Sequence, residues 1–219
     1  MTRRALGVGS GLLALSLFAW AVVVQQTQAM EMGPSGDLGG LTWFLGLWVA
    51  MTAAMMLPSA APAVLLVDRL SPRATPSFLV GYVVAWTVYG AVAYLVTRTA
   101  HDAGLSTARA TGPLIAAAGL YGLTPLKRTC LRRCRNPLGF LMRHERHGPL
   151  ATGVLHGGYC VGCCAGLMVV LLAVGMMSVL WMVVVAALIA AEKTAPLGER
   201  LVTPIGVALV ATGVLVTLS

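Results

Sequence analysis

The sequence predicts an all-α fold: a polytopic transmembrane helical bundle of about seven helices that forms one integral membrane domain over residues 1–219. Three observations predict it. Of the 219 residues 58% are apolar, only 10% are charged, and the mean hydropathy is +0.85. Soluble domains carry about 45–50% apolar and roughly 25% charged residues. The composition therefore excludes a soluble globular enzyme and a disordered binding segment.

Stretches without charge define the predicted spans, because one membrane crossing takes about 20 apolar residues. The first stretch follows Arg3 and Arg4, and its apolar core at 12–24 reaches beyond the ~7–15 residues usual for a signal-peptide core. We therefore interpret it as a spanning helix rather than a cleaved signal. The predicted spans lie near residues 5–24, 41–66, 76–97, 111–126, 152–174, 177–192 and 201–218.

The connections between spans carry their own signals. Pro58 and Pro62 predict a kink or an end near the inner side of the second span. Residues 148–191 contain no charge, which fits two helices joined by a tight turn near residues 175–178. The basic, amphipathic loop 127–150 predicts a short helix on the inner headgroup surface.

The distribution of basic residues sets the predicted orientation. With the N-terminus in the cytoplasm, thirteen of the fifteen Lys and Arg residues face inward, the exceptions being Arg98 and Arg109. Cytoplasmic loops are enriched in these residues. The sequence therefore predicts a multi-pass membrane protein with its N-terminus in the cytoplasm and the lipid bilayer as its surroundings. The formal charge of +8 is explained by topology, so no nucleic-acid partner is expected.

The five cysteines form two groups with helical spacing. Cys130 and Cys134 are spaced i, i+4, and Cys160, Cys163 and Cys164 are spaced i, i+3, i+4. On a helix each group shares one face. The predicted location, a reducing inner compartment, argues against structural disulfides. Because thiolates select soft ions, the pattern favours a site for Cu(I) first and Zn(II) second.

Two other residue types extend this hypothesis. His156 precedes the trio by one turn and is a candidate ligand on the same face. Among eleven methionines, Met51 and Met55 share a face near mid-membrane and are candidate thioether ligands, while Met30 and Met32 form a pair in a predicted outer loop. Together the sulfurs suggest a ladder across the membrane. The alternative is packing, since Met and Cys also fill apolar cores.

Glu192 and Lys193 end the sixth predicted span. An acid within a membrane span is a functional candidate, but a neighbouring Lys equally fits a surface ion pair.

Several motifs keep a fixed order and spacing between roughly residues 43 and 196. They are Trp48-x-x-Met51-x-x-Ala54-Met55-Met56-x-Pro58-Ser59-x-x-Pro62, Gly119-x-Tyr121-x-x-Thr124-Pro125-x-Lys127-x-x-Cys130-Leu131-x-x-Cys134, Tyr159-Cys160-x-Gly162-Cys163-Cys164, Gly175-Met176, Trp181-Met182 and Glu192-Lys193. With them the chain resembles an uncharacterised bacterial family of predicted metal-binding integral membrane proteins, a domain of unknown function. The resemblance implies a helical membrane fold, a location in the bacterial inner membrane and a metal-related function, and it supplies no reaction.

The leading hypothesis is soft-metal binding for handling or transfer, with a metal chaperone or another membrane protein as possible partner. The sequence lacks a phosphate-binding glycine loop, a Gly-x-Ser-x-Gly elbow and a His-Glu-x-x-His pair, so it favours a non-enzymatic role without deciding it. One alternative is a membrane thiol–disulfide oxidoreductase. Another is a structural subunit of a membrane complex with incidental sulfurs.

Overall fold

A computed structural model describes residues 3–30, 40–104, 107–144, 146–175 and 178–218. Within these ranges the chain is α-helical and has no strand, which confirms the predicted all-α class. Its helices are α1 (Arg3–Met30), α2 (Leu41–Leu70), α3 (Thr75–Asp102), α4 (Thr107–Leu123), α5 (Pro125–Arg135), α6 (Pro137–Arg143), α7 (Pro149–Val174), α8 (Val179–Thr194) and α9 (Gly198–Leu218).

Each predicted span coincides largely with one helix, namely α1 to α4 and α7 to α9. In the described part of the chain, five helices are long and apolar enough to cross a membrane: Arg3–Thr27, Leu41–Leu70, Thr75–Asp102, Pro149–Val174 and Gly198–Leu218. Helices α4 and α8 have 17 and 16 residues. The number of crossings and the bundle in a bilayer therefore stay predictions.

Proline and glycine account for most differences in boundary. Helix α2 continues through Pro58 and Pro62 to Leu70 instead of ending early. The fourth predicted span is divided, because Pro125 lacks the N–H that would continue α4 and instead begins α5. The predicted turn after α7 begins at Gly175, whose φ of +113° is a conformation that favours glycine.

The basic loop contains two helices rather than one. Helix α6 follows α5 after a single residue, Asn136. The Asn136 side chain accepts a hydrogen bond from the Gly139 N–H at 3.0 Å, and Pro137 occupies the first turn. This capping arrangement ends one short helix and starts the next.

The chain divides into two compact units. The first comprises residues 1–94 and 136–161. In it, Ser16 of α1 donates a hydrogen bond to Ala54 O of α2 at 2.8 Å, and the Trp48 indole N–H donates to Trp86 O of α3 at 3.0 Å. Helices α3 and α7 approach so closely that a Cβ at Gly153 would overlap Phe78 O. The Ser16 hydroxyl and the Trp48 indole N–H are thus satisfied across helix pairs.

The second unit comprises residues 95–135 and 162–219. Helices α4 and α9 pack along small residues, and a Cβ at any of four glycines would overlap the facing helix: Gly112, Gly119, Gly206 and Gly213. Small residues allow such close packing of helices in membranes. Thr111 also donates to Ala173 O of α7 at 3.1 Å. That the two units form one integral membrane domain stays a prediction.

Candidate metal centre

Helix α7 carries three cysteines on one face. The Sγ atoms of Cys160, Cys163 and Cys164 all lie within 4.8 Å of one another. Each residue is at most 2% exposed, and the Cys163 and Cys164 sulfurs are 3.4 Å apart. The i, i+3, i+4 spacing produces this grouping directly, since such positions adjoin on a helix surface. The grouping expected from the sequence is present; the role of these residues as ligands stays a prediction.

Within the second unit, α5 brings its two cysteines to the same segment of α7. Cys134 Sγ lies 3.8 Å from Cys163 Sγ. Cys130 packs over Gly162, where an added Cβ would lie only 2.6 Å from the Cys130 sulfur. Burial raises the pKa of the Cys130 thiol, and the charge of Arg133 opposes that rise. All five cysteines are thiols rather than disulfides.

An ion pair fixes α5 in this position. Lys127 Nζ lies 2.7 Å from Glu192 Oε1 of α8, and the two side chains are 4% and 2% exposed. Arg135 donates from its guanidinium to Glu192 O and Ala195 O, both at 2.7 Å. These contacts orient α5 from both ends. The sequence suggests only the neighbouring Lys193 as a partner for Glu192, whereas the structure pairs Glu192 with Lys127 of α5.

One feature of the sequence could have predicted a buried partner for Lys127. Lys127 precedes Cys130 by three residues and Cys134 by seven, so the three share one face of α5. A face that carries both a cation and two thiols, with Lys127 and Cys130 buried, requires an acid somewhere else in the chain to compensate the charge.

His156 is buried on α7 among aromatic rings of the first unit. Its ring centroid lies 5.6 Å from that of Phe78, 6.0 Å from that of Tyr82 and 5.2 Å from that of Phe140. The same Tyr82 places its Oη 3.0 Å from Cys160 Sγ. Sequence reasoning did not identify Tyr82. The three rings give His156 a packing role, and its predicted role as a ligand stays a prediction.

The methionines divide between described and undescribed positions. Met51 and Met55 are buried on α2 in the first unit, which agrees with packing and leaves their thioether role a prediction. The side chains of Met30 and Met32, the predicted outer-loop pair, lie outside the described residues.

The donor set is soft and enclosed. It consists of sulfur atoms, and three of them are buried side by side on α7. Two- and three-coordinate thiolate sites suit Cu(I), whereas Zn(II) prefers four ligands in a tetrahedron. The trio therefore suits Cu(I), and Zn(II) would require at least one ligand more.

Comparison with known proteins points in the same direction. A family model described as copper chaperone (PpoB2) matches residues 45–216, which is 172 of the 219 residues. The matched segment contains every cysteine and both candidate methionines of α2. No curated protein matches, and no solved structure matches.

Proposed function

We propose that this chain, which belongs to the PpoB2 copper chaperone family, holds Cu(I) on the thiols of α7 and passes it to a partner. The observation that carries the proposal is the buried group of Cys160, Cys163 and Cys164, with sulfurs within 4.8 Å of one another. Sulfur ligands favour soft metals such as Cu(I) over hard cations. Copper is the cargo here, so the protein works by binding and release.

Zinc is the second candidate metal. Its tetrahedral sites use four ligands, and Cys134 lies close enough to Cys163, at 3.8 Å between sulfurs, to supply a fourth thiolate. The two metals are separable by spectroscopy. A Cu(I) site of low coordination gives a characteristic X-ray absorption edge, and a zinc site shows four sulfur neighbours near 2.3 Å.

We also propose that the protein spans the inner membrane of a bacterium with its N-terminus in the cytoplasm. Five helices with suitable length and hydropathy support this. Large apolar side chains such as Leu17, Phe18 and Val96 are more than 60% exposed, which fits contact with acyl chains rather than water. The inward distribution of Lys and Arg supports the orientation.

A thiol–disulfide oxidoreductase is the second candidate function, and one observation favours it. Cys134 and Cys163 lie on different helices with sulfurs 3.8 Å apart, a distance that a modest shift would close to the 2.05 Å of a disulfide. With a partner disulfide as oxidant, these two thiols would become a disulfide while the partner is reduced to two thiols. This activity would persist in protein stripped of metal.

The test is elemental analysis of the full-length protein purified in detergent from cells grown with copper. The wild type is compared with a Cys160→Ser, Cys163→Ser, Cys164→Ser triple variant. The control is Gly158→Ser, because this exposed position of α7 has open space around an added Cβ. We expect stoichiometric copper in the wild type and the control and its loss in the triple variant.

Other outcomes identify the alternatives. Zinc in place of copper selects the second metal. Disulfide exchange by metal-free wild type, lost in Cys163→Ser, selects the oxidoreductase. A wild type that cannot be loaded with either metal contradicts the proposal and leaves a structural subunit as the interpretation.

A further inference from the structure

We propose that Cys134 is the position through which Cu(I) on α7 exchanges with external thiols, and that it favours thiols with negative charge. This inference rests on the proposed function and specifies the route of release. Cys134, Cys163 and the charged residues that contact α5 all lie in the second unit.

Exposure distinguishes Cys134 from the other four cysteines. Cys160, Cys163 and Cys164 are at most 2% exposed and Cys130 is 7% exposed, whereas Cys134 is only partly buried. The trio is therefore covered from outside ligands in this structure. An outside ligand can reach the partly exposed Cys134 with α5 in its observed position.

Distance connects Cys134 to the buried sulfurs. Its Sγ lies 3.8 Å from Cys163 Sγ, so a Cu(I) ion of low coordination at Cys163 can add Cys134 as a further ligand before releasing another. Such associative exchange keeps the ion bound throughout. Because the next thiolate is already in place, each step is effectively intramolecular.

Transfer of Cu(I) from one thiolate to another requires no oxidant or reductant. The external thiol loses its proton as its sulfur binds Cu(I), and the thiolate that leaves the ion takes up one proton. Copper remains Cu(I), and no sulfur is oxidised. Loading of the site follows the same steps in reverse.

Contacts of Lys127 and Arg135 with α8 hold α5 in this position. Lys127 and Glu192 form a buried ion pair at 2.7 Å, and Arg135 bonds two carbonyl groups at the end of α8. Cys134 is therefore held beside Cys163 without an ordering step on binding.

The positive charge of α5 accounts for the proposed preference for anionic thiols. Helix α5 contains five cationic residues and no acid. Arg128 and Arg132 are exposed, and Glu199 at 3.0 Å from Arg132 offsets only part of this charge. A positive surface attracts anionic ligands and repels cationic ones, and salt screens both effects.

The experiment measures copper transfer from full-length protein in detergent. Protein loaded with Cu(I) is mixed with excess mercaptoacetate, an anionic thiol, or cysteamine, a cationic thiol, and copper remaining on the protein is timed by rapid gel filtration. Wild type is compared with Cys134→Ser, and Thr129→Ala is the control from an exposed position of the same helix.

We expect Cys134→Ser to retain its copper stoichiometry and to release copper about tenfold more slowly or worse, with the control unchanged. The two thiols differ in intrinsic reactivity, so the charge test is their rate ratio. The ratio of mercaptoacetate to cysteamine rates should fall as salt is raised in wild type.

Each contrary result has a distinct meaning. Equal release rates in wild type and Cys134→Ser overturn the exchange route. Loss of copper from Cys134→Ser also overturns it, since Cys134 would then be a permanent ligand. A salt-independent rate ratio overturns the charge preference. Failure of wild type to take up copper contradicts the proposed function itself.

Discussion

The phenol oxygen of Tyr82 lies 3.0 Å from the sulfur of Cys160, joining α3 to α7 inside the first unit. Both side chains are at most 2% exposed. A buried phenol beside a sulfur can donate a hydrogen bond to a thiolate, which stabilises the charged form and orients it for a metal. In the proposed copper site, this contact would make Tyr82 a positioning residue for Cys160.

Tyr82→Phe should therefore weaken Cu(I) binding while leaving the fold intact. The ring that packs against His156 remains, and only the hydroxyl group is lost. Removal of a partner that orients a ligand typically lowers metal affinity by about 10–100-fold. Affinity is measured by competition with a Cu(I) chelator of known strength. The matched control is Tyr89→Phe on the same helix, and equal affinity in both variants would show that the Tyr82 hydroxyl has no role at the metal.

Because Lys127 and Glu192 form a buried ion pair, replacing one of them should destabilise the protein more than replacing both. Removing one partner leaves a buried, uncompensated charge, at a cost of about 3–5 kcal/mol. Replacing both, as in Lys127→Met with Glu192→Leu, should recover much of that loss. Thermal unfolding in detergent measures both effects. As a control, Arg132→Ala breaks an exposed pair with Glu199 and should cost about 1 kcal/mol or less. A double variant no better than the single variants would contradict this account.

A pair of glycines on α7 tests how closely α3 and α7 pack. Gly153→Ala introduces a Cβ that would overlap Phe78 O, whereas Gly158→Ala meets nothing within 4 Å. The first should destabilise the protein by about 1–3 kcal/mol through overpacking. The second should be neutral or slightly stabilising, because alanine favours the helix. Unfolding temperatures of the two variants provide the comparison, and equal values would mean that the helices separate at no cost.

Sequence reasoning located the helices because a membrane-like helix is recognisable from its own residues. Apolar length alone placed five of the seven predicted spans inside single observed helices, while the fourth crosses the break before Pro125 and the sixth begins two residues ahead of α8. The ends were less accurate. Helix α3 continues past the predicted residue 97 to Asp102, because charged residues such as Arg98 remain helical after the apolar stretch ends.

The part of the candidate site formed by residues close together in the sequence was predictable. The spacing of Cys160, Cys163 and Cys164 was sufficient to group them on one helix. The contacts of Tyr82 with Cys160 and of Lys127 with Glu192 join residues 78 and 65 positions apart. No periodicity within a helix encodes such pairings, since they depend on which helix faces pack together.

Bound copper should protect the thiols from forming a bridge between α5 and α7. The sulfurs of Cys134 and Cys163 are 3.8 Å apart, and their helices are close enough for a disulfide after a small adjustment. Mild oxidation of metal-free protein should therefore link these two residues, as detected by mass spectrometry of proteolytic peptides. Protein loaded with Cu(I) should resist, because its thiolates are occupied by the ion. Cys134→Ser supplies the control without this bridge. Equal crosslinking with and without copper would place the ion away from Cys163 and would favour the oxidoreductase interpretation over copper handling.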